Sequence, residues 1–241
     1  MRMFIAWAGT GRIIKLDPEK AALLNYHTAT AVCYDKVMSR LLKRTFDSVI
    51  SALGLVLLAP FFVLIAWRIR SDSPGPVFYT QVRSGEGRRP FRIYKFRTMV
   101  VDADARLPDV LHLNLHAHAW ADPRLYKIPN DPRITQIGAF LRRYSLDELP
   151  QLFNVLIGDM SLVGPRPLML SEDQHVTGWA CRRATVKPGI TGPWQVQGRN
   201  ELPFEEMMRL DCEYVENRSF LGDLRLLART IPAVFRPQRA Y

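Results

Sequence analysis

Two adjacent acids, Asp147 and Glu148, stand in the segment RRYSLDELPQLFNVL. Neighbouring acids on a helix surface are usually no more than solvated charges. A second bland role is a capping box, Ser145-x-x-Glu148, with Ser145 at the helix start. Pro150 counts against it, because it would then be the fifth helical residue, where a backbone donor is needed. With the cap at Asp147, Pro150 becomes the third helical residue and its missing N–H costs nothing. That register predicts Asp147 at the positive end of a helix dipole, with Arg142 and Arg143 nearby. Both effects favour an ionised carboxylate. Beside a second acid, such a group is suited to hold Mg²⁺ or to attack phosphorus.

The complementary residues are cations in stiff settings: Lys95 and Arg97 in IYKFRTM, Arg166 between Pro165 and Pro167, and Arg199 in QGRN. A cation on a strand, or held by prolines, loses less entropy on meeting a phosphate than one on a loose stem. Gly164, just before the Pro-Arg-Pro, allows close approach. Any one of these cations is ordinarily a solubility residue. Together with the acids they predict a phosphate-bearing substrate bound with a divalent metal. Histidines 112, 116 and 118 have helical metal spacing, but no acid or cysteine completes a set and solvent exposure is the default. There is no GxSxG elbow, Walker A loop or HExxH. Gly9-Thr10-Gly11 lacks the third glycine of a dinucleotide fingerprint.

The elements that must position these groups begin with Ser48–Trp67, twenty consecutive residues without a charge. A straight helix of that length reaches about 30 Å, enough to cross a bilayer core. Pro60 lies inside it and predicts a kink or break. Lysines and arginines flank both ends (Lys36, Arg40, Lys43, Arg44; Arg68, Arg70, Arg83), so charge selects no orientation for a span. A broken helix entering and leaving on one cytoplasmic face puts all these charges beside anionic headgroups, and is preferred over a span or a buried core helix. Residues 1–37 read as an extension of unknown role, with two brief strands around the Gly-Thr-Gly. Residues 38–70 read as an amphipathic approach and the re-entrant helix broken at Pro60, and 71–241 as the catalytic domain. Within the last, PVFYTQVR and PFRIYKFRTM predict a strand pair, residues 100–129 a helix and a long loop. Ile134, Ile137, Phe140 and Leu141 mark one helix face, Leu149, Leu152, Phe153 and Leu156 another. Further helices are expected at 171–184, 203–217 and 220–235. The fold class is mixed α/β and helix-rich, a re-entrant membrane helix followed by a small cytoplasmic catalytic domain with a short β-hairpin.

Composition agrees. The 241 residues carry a net charge of +10 and are 48% apolar, which excludes a wholly disordered chain. Glycine and proline show no period, so collagen-like and repeat architectures are out. Cys33, Cys181 and Cys212 form no CxxC pair, so a zinc finger or disulfide scaffold is not expected and a reducing compartment fits. Positive charge suits nucleic acid, anionic lipid or a phosphorylated substrate. Aromatics do not interleave with the basic patches, so nucleic acid falls away.

The segments KRTFD, GPVFYTQVRSGEGRRPFRIYKFRTM, NDPRITQIGAFLRRYSLDELPQLFNVLIGDMSLVGPRP, VKPGITGPWQVQGRN and LDCEYVENRSFLGDLRLLARTIPAV run in order over residues 38–235. They resemble the bacterial sugar transferases, monotopic polyprenyl-phosphate phosphoglycosyl transferases that start exopolysaccharide and O-antigen assembly. The resemblance implies transfer of a sugar-1-phosphate from a UDP-sugar to polyprenyl phosphate, with release of UMP and a need for Mg²⁺. It implies that Asp147 attacks the sugar-bearing phosphate to form a covalent intermediate, with Glu148 as metal partner or proton handler. It places Lys95, Arg142, Arg166, Arg199 and Asp211 along the site, and the membrane break at Ala59-Pro60. The expected location is the bacterial inner membrane, catalytic domain on the cytoplasmic face. Expected partners are UDP-sugar, polyprenyl phosphate and membrane lipids, with self-association open. Rival readings are a membrane glycosyltransferase releasing UDP and a catalytically degenerate scaffold. Residues 1–37 do not match the spanning helices and nucleotide-binding-like domain that precede the catalytic part in larger relatives.

Overall fold

The computed structural model describes residues 4–8, 12–16, 18–114, 128–197 and 202–235, with side chains from residue 40 onward. The chain divides into two compact units, residues 1–45 and 46–241. In the first, β1 (Phe4–Ala8) pairs antiparallel with β2 (Arg12–Leu16), Phe4 opposite Leu16, the two brief strands expected on either side of the Gly-Thr-Gly.

Helix α1 (Pro18–Asp72) carries the uncharged run, and its Arg40–Asp72 stretch is long and apolar enough to cross a membrane. The chain does not leave the helix at Pro60: it is helical before, at and after it. A proline forfeits one bond of the ladder, and the bonds on either side keep the helix whole. Only 11% of the most apolar stretch is buried. Val49, Leu53, Val56, Leu57, Val63, Leu64 and Trp67 face outward, whereas Ile65 and Ile69 are buried. At Gly54 an added Cβ would stand 3.2 Å from a methyl of Leu152, so a small residue lets this helix lie close to the next layer.

Antiparallel strands β3 (Phe78–Ser84) and β4 (Pro90–Phe96) follow, joined through a 3₁₀ turn at Glu86–Arg88, with Tyr79 opposite Lys95 and Gln81 opposite Ile93. This is the predicted hairpin. Of the segment read as helix and loop, α2 (Leu107–Val110) and a 3₁₀ turn (Leu111–Leu113) are described; His116 and His118 lie outside the described residues. Then come α3 (Gln136–Arg143), capped by Thr135, a 3₁₀ turn at Leu146–Glu148, and α4 (Gln151–Ile157). Strand β5 (Ser161–Val163) pairs parallel with β6 (Gly189–Thr191). The single helix expected over 171–184 is instead α5 (Leu170–Asp173) and a 3₁₀ helix at Gly178–Thr185. The first ends at Asp173, and after residues 174–177 the second opens at Gly178, which adopts a left-handed φ of +57°. Helices α6 (Pro193–Gln197), α7 (Phe204–Asn217) and α8 (Phe220–Phe235) complete the chain, the last two where the periodicity placed them.

The hairpin contributes to two of three apolar clusters. Ile65 and Ile69 of α1 pack on Phe96 and Leu141, while Ile93 packs with Val155, Met160, Leu162 and Val163. Each fully buried side chain of this size contributes about 1.5–3 kcal/mol. A third cluster joins Leu168, Trp194, Phe204 and Met208 behind the Pro-Arg-Pro segment. Apolar packing thus clamps β4, which carries Lys95, between α1 and α4.

Candidate active site

Asn154 fixes the distance between β4 and the acids. Fully buried on α4, it accepts a hydrogen bond from the Tyr94 backbone N–H at 3.0 Å and donates to the Arg92 carbonyl at 2.7 Å. Lys95 is the next residue along β4, and Glu148 lies one turn before Gln151, the first residue of α4. The Lys95 ammonium consequently sits 2.7 Å from Glu148 Oε1 and 3.8 Å from Asp147 Oδ2. The Arg166 guanidinium reaches to 3.9 Å from Glu148 on another side. A small open cleft, with about 240 Å³ of empty space, is lined by Lys95, Glu148 and Arg166 together with Arg83, Gln151 and Gln195. Within it, cations outnumber acids.

The two acids differ. Burial would raise Glu148, but Lys95, Arg166 and Arg83 outweigh it and hold this carboxyl down to about 2. Asp147 is 8% exposed and is pushed above the ordinary aspartate range, by burial first and by the Glu148 charge, with Lys95 and Arg142 opposing. This corrects the expectation that a helix dipole sets the acidity of Asp147. Asp147 does not cap a helix; it lies inside a short 3₁₀ turn, Pro150 immediately precedes α4, and loss of water outweighs so weak a dipole. The Ser145 capping box is also absent: Ser145 has φ +54° and makes no side-chain cap. Such a left-handed serine is a strained link, placed two residues before Asp147. Asp147 itself is not among the residues that line the cleft.

The other expected site residues separate into groups. Arg142 lies near Asp147, donates to Thr98 Oγ1 at 2.9 Å, and has its pKa lowered, chiefly by burial. Arg97 is not in the cleft. Strand β4 ends at Phe96, and the Arg97 guanidinium turns back to the carbonyls of Ser73 and Pro74 at 2.7 and 2.6 Å, clamping the turn after α1. Asp211 is fully buried and does not reach the cleft; Arg183 binds it at 2.8 Å, because the inward face of α7 carries it into the core. Arg199 lies outside the described residues. Gly164 serves close approach as expected, but to backbone: an added Cβ would stand 2.5 Å from the Lys187 carbonyl.

Arg83 was not singled out from sequence. It lies on the Tyr79–Gln81 face of β3, donates to Gln81 at 2.6 Å and to the Pro167 carbonyl at 3.3 Å, and stands 3.8 Å from Glu172. Burial first, and then repulsion from Arg166, lower its pKa to about 10, so it stays cationic at neutral pH. Its signal was the two-residue alternation of the strand, which gives it the same side as Gln81.

The chain's residues 38–237 match the family model described as bacterial sugar transferase. The chain belongs to the bacterial sugar transferase family. An undecaprenyl-phosphate galactose phosphotransferase of Salmonella typhimurium is 42% identical over 207 residues, 86% of this chain and 43% of that protein. A UDP-glucose:undecaprenyl-phosphate glucose-1-phosphate transferase of Caulobacter vibrioides is 38% identical over 214 residues, 86% and 74% of the two chains. The exopolysaccharide production protein ExoY of Rhizobium meliloti is 40% identical over 200 residues, 83% and 88%. The chain thus spans less than half of the Salmonella protein and most of the Rhizobium one.

Proposed function

We propose that the chain transfers a sugar-1-phosphate from a UDP-sugar to polyprenyl phosphate, with release of UMP, as the first membrane step of a glycan pathway. The observation that carries this reading is Lys95 placed between two adjacent carboxylates, with Arg166 closing the same cleft. Fixed cations of this kind offset charge developing on phosphoryl oxygens. An Asp147 carboxylate oxygen attacks the sugar-bearing phosphorus; the bond to the bridging oxygen breaks and UMP leaves with the electron pair. An oxygen of the polyprenyl phosphate then attacks the same phosphorus, forming the lipid diphosphate and returning the Asp147 carboxylate. Two steps let two anionic substrates use one site in turn, so they never meet as like charges. Lys95, 3.8 Å from Asp147, supplies the countercharge that opposes its protonation.

The donor set fits Mg²⁺ as substrate-bridged magnesium is usually held, by one or two carboxylates plus phosphate and water. Glu148 has one oxygen engaged by Lys95 and a second remaining, and Asp147 adjoins it. No group of three metal-ligating side chains occurs among the described residues, so phosphate and water would complete the shell. The ion would supply further charge neutralisation at the phosphates. The outward apolar face of α1 supports an active site held at headgroup level, on the cytoplasmic face of the inner membrane.

The decisive assay gives the full chain UDP-glucose or UDP-galactose with polyprenyl phosphate. UMP as product, and a labelled phosphosugar adduct without acceptor that Asp147→Asn lacks, are expected. UDP as product would reassign the chain as a glycosyltransferase. Neither product nor adduct, across a panel of UDP-sugars, would make it a scaffold.

A further inference from the structure

The segment Pro165-Arg166-Pro167 has backbone donors missing at both prolines, so its carbonyls must hold it. Each is taken by a different element. The Pro165 carbonyl accepts from the Gly189 N–H of β6 at 2.8 Å, and the Pro167 carbonyl from Arg83 of β3. The central Arg166 carbonyl accepts from Arg183 Nη2 at 2.5 Å. Arg183 is 4% exposed, and both its Nη2 and its Nε also donate to one oxygen of Asp211, at 2.8 and 3.1 Å. Asp211 is wholly buried on α7, and its other oxygen, Oδ1, has no hydrogen-bond partner. A buried carboxylate with an idle oxygen is costly to keep. At the far end of the same arginine, the Arg166 guanidinium stands 5.4 Å over the Trp194 ring, within cation–π range, and faces Glu148.

We infer that Arg183 and Asp211 are a buried positioning pair: they fix the Arg166 backbone, and so aim its guanidinium at a phosphate of the nucleotide-sugar. This rests on the function proposed above. Neither residue touches substrate. Arg183 belongs to the 3₁₀ helix Gly178–Thr185 and Asp211 to α7, so the pair fastens the cleft's arginine to the core behind it. The cleft cation is thereby held at one end by Arg183 and at the other by Trp194, which lowers the entropy lost when a phosphate binds. Displacing a positioned group by about 1 Å can reduce turnover by roughly a hundredfold.

A double-mutant cycle tests the inference, because residues acting through a common group are non-additive. Asp211→Asn keeps the side-chain shape and removes the charge; it is expected to lower kcat/KM for UDP-sugar by about tenfold to a hundredfold. In an Arg166→Ala background the same substitution is expected to change kcat/KM by less than about twofold. Arg183→Lys, which keeps a cation but loses the forked contact, should follow the same pattern. Equal losses in both backgrounds, or no loss in either, would overturn the inference. So would failure of both single variants to fold, since the pair would then be scaffold alone. If the unmodified chain releases no UMP, the proposed function fails by itself. The cycle is then run on equilibrium binding of the UDP-sugar, where the same non-additivity is required.

Discussion

Asp147 and Asp211 are both deeply buried, both stand beside a cation, and both bind their proton more tightly than a free aspartate, chiefly because burial removes water. They differ in how the cation is shared. Arg183 gives Asp211 two contacts, at 2.8 and 3.1 Å. Lys95 gives its short contact to Glu148, at 2.7 Å, and remains 3.8 Å from Asp147. A forked guanidinium saturates one oxygen and locks the acid in place, whereas a point charge shared between two acids leaves one of them underpaired. Burial and a nearby cation therefore do not by themselves distinguish the two acids; the division of the cation does.

The contrast can be broken most directly at the acids themselves. Asp147→Asn is expected to cut product formation by at least about a thousandfold while the fold is retained, measured as UMP release beside a circular-dichroism spectrum. Wild-type turnover in that variant would remove Asp147 from the chemistry. Lys95→Met should cost about a hundredfold or more in kcat, because the cation between the acids is lost while the strand remains. The corresponding deletion at the other acid should act on stability. Arg183→Met strands a buried charge and is expected to cost about 3–5 kcal/mol in a denaturant titration.

Proton linkage sharpens the same contrast. Burial, against the opposing pull of Arg183 and Arg166, raises Asp211 to about 6 in the fold. Between about pH 4, the ordinary aspartate range, and pH 6, the folded chain therefore holds more protons than the unfolded one. The contribution of this group to stability declines as pH rises through that window and levels off above 6. Asp211→Asn should flatten this part of the profile of melting temperature against pH; an unchanged slope would assign it to another group. The smallest effect is expected at the exposed pair Arg182–Glu216, 2.5 Å apart and well solvated. Arg182→Gln should leave the melting temperature within about 2 °C and activity unchanged.

Strand alternation in PVFYTQVR and PFRIYKFRTM and the 3.6-residue spacing over 203–217 and 220–235 were enough to place the hairpin and the last two helices, because each buries one side of a regular element. The uncharged run likewise announced a helix with an unburied apolar face. Local pattern was insufficient where a long-range contact sets the outcome. Arg97 shares the period-two phase of Lys95, yet the strand stops between them and carbonyls more than twenty residues earlier take its guanidinium. The helix expected over 171–184 is divided after Asp173 and resumes at Gly178, whose left-handed backbone no periodicity reports. Pro60 warned of a break, and the helix continues through it.

By itself the amino-acid order determined which residue types were available for phosphate chemistry and which elements would carry them: two adjacent acids, cations on a strand and between prolines, and a long apolar helix. Those properties are short-range, fixed by side-chain chemistry and by the period of a helix or strand. Tertiary structure alone decided which acid each cation serves, that Arg83 joins the cleft, and that Asp211 is sealed behind it. Electrostatic energy and desolvation change steeply over one or two ångströms, and those distances are set by how β4, α4 and α7 pack.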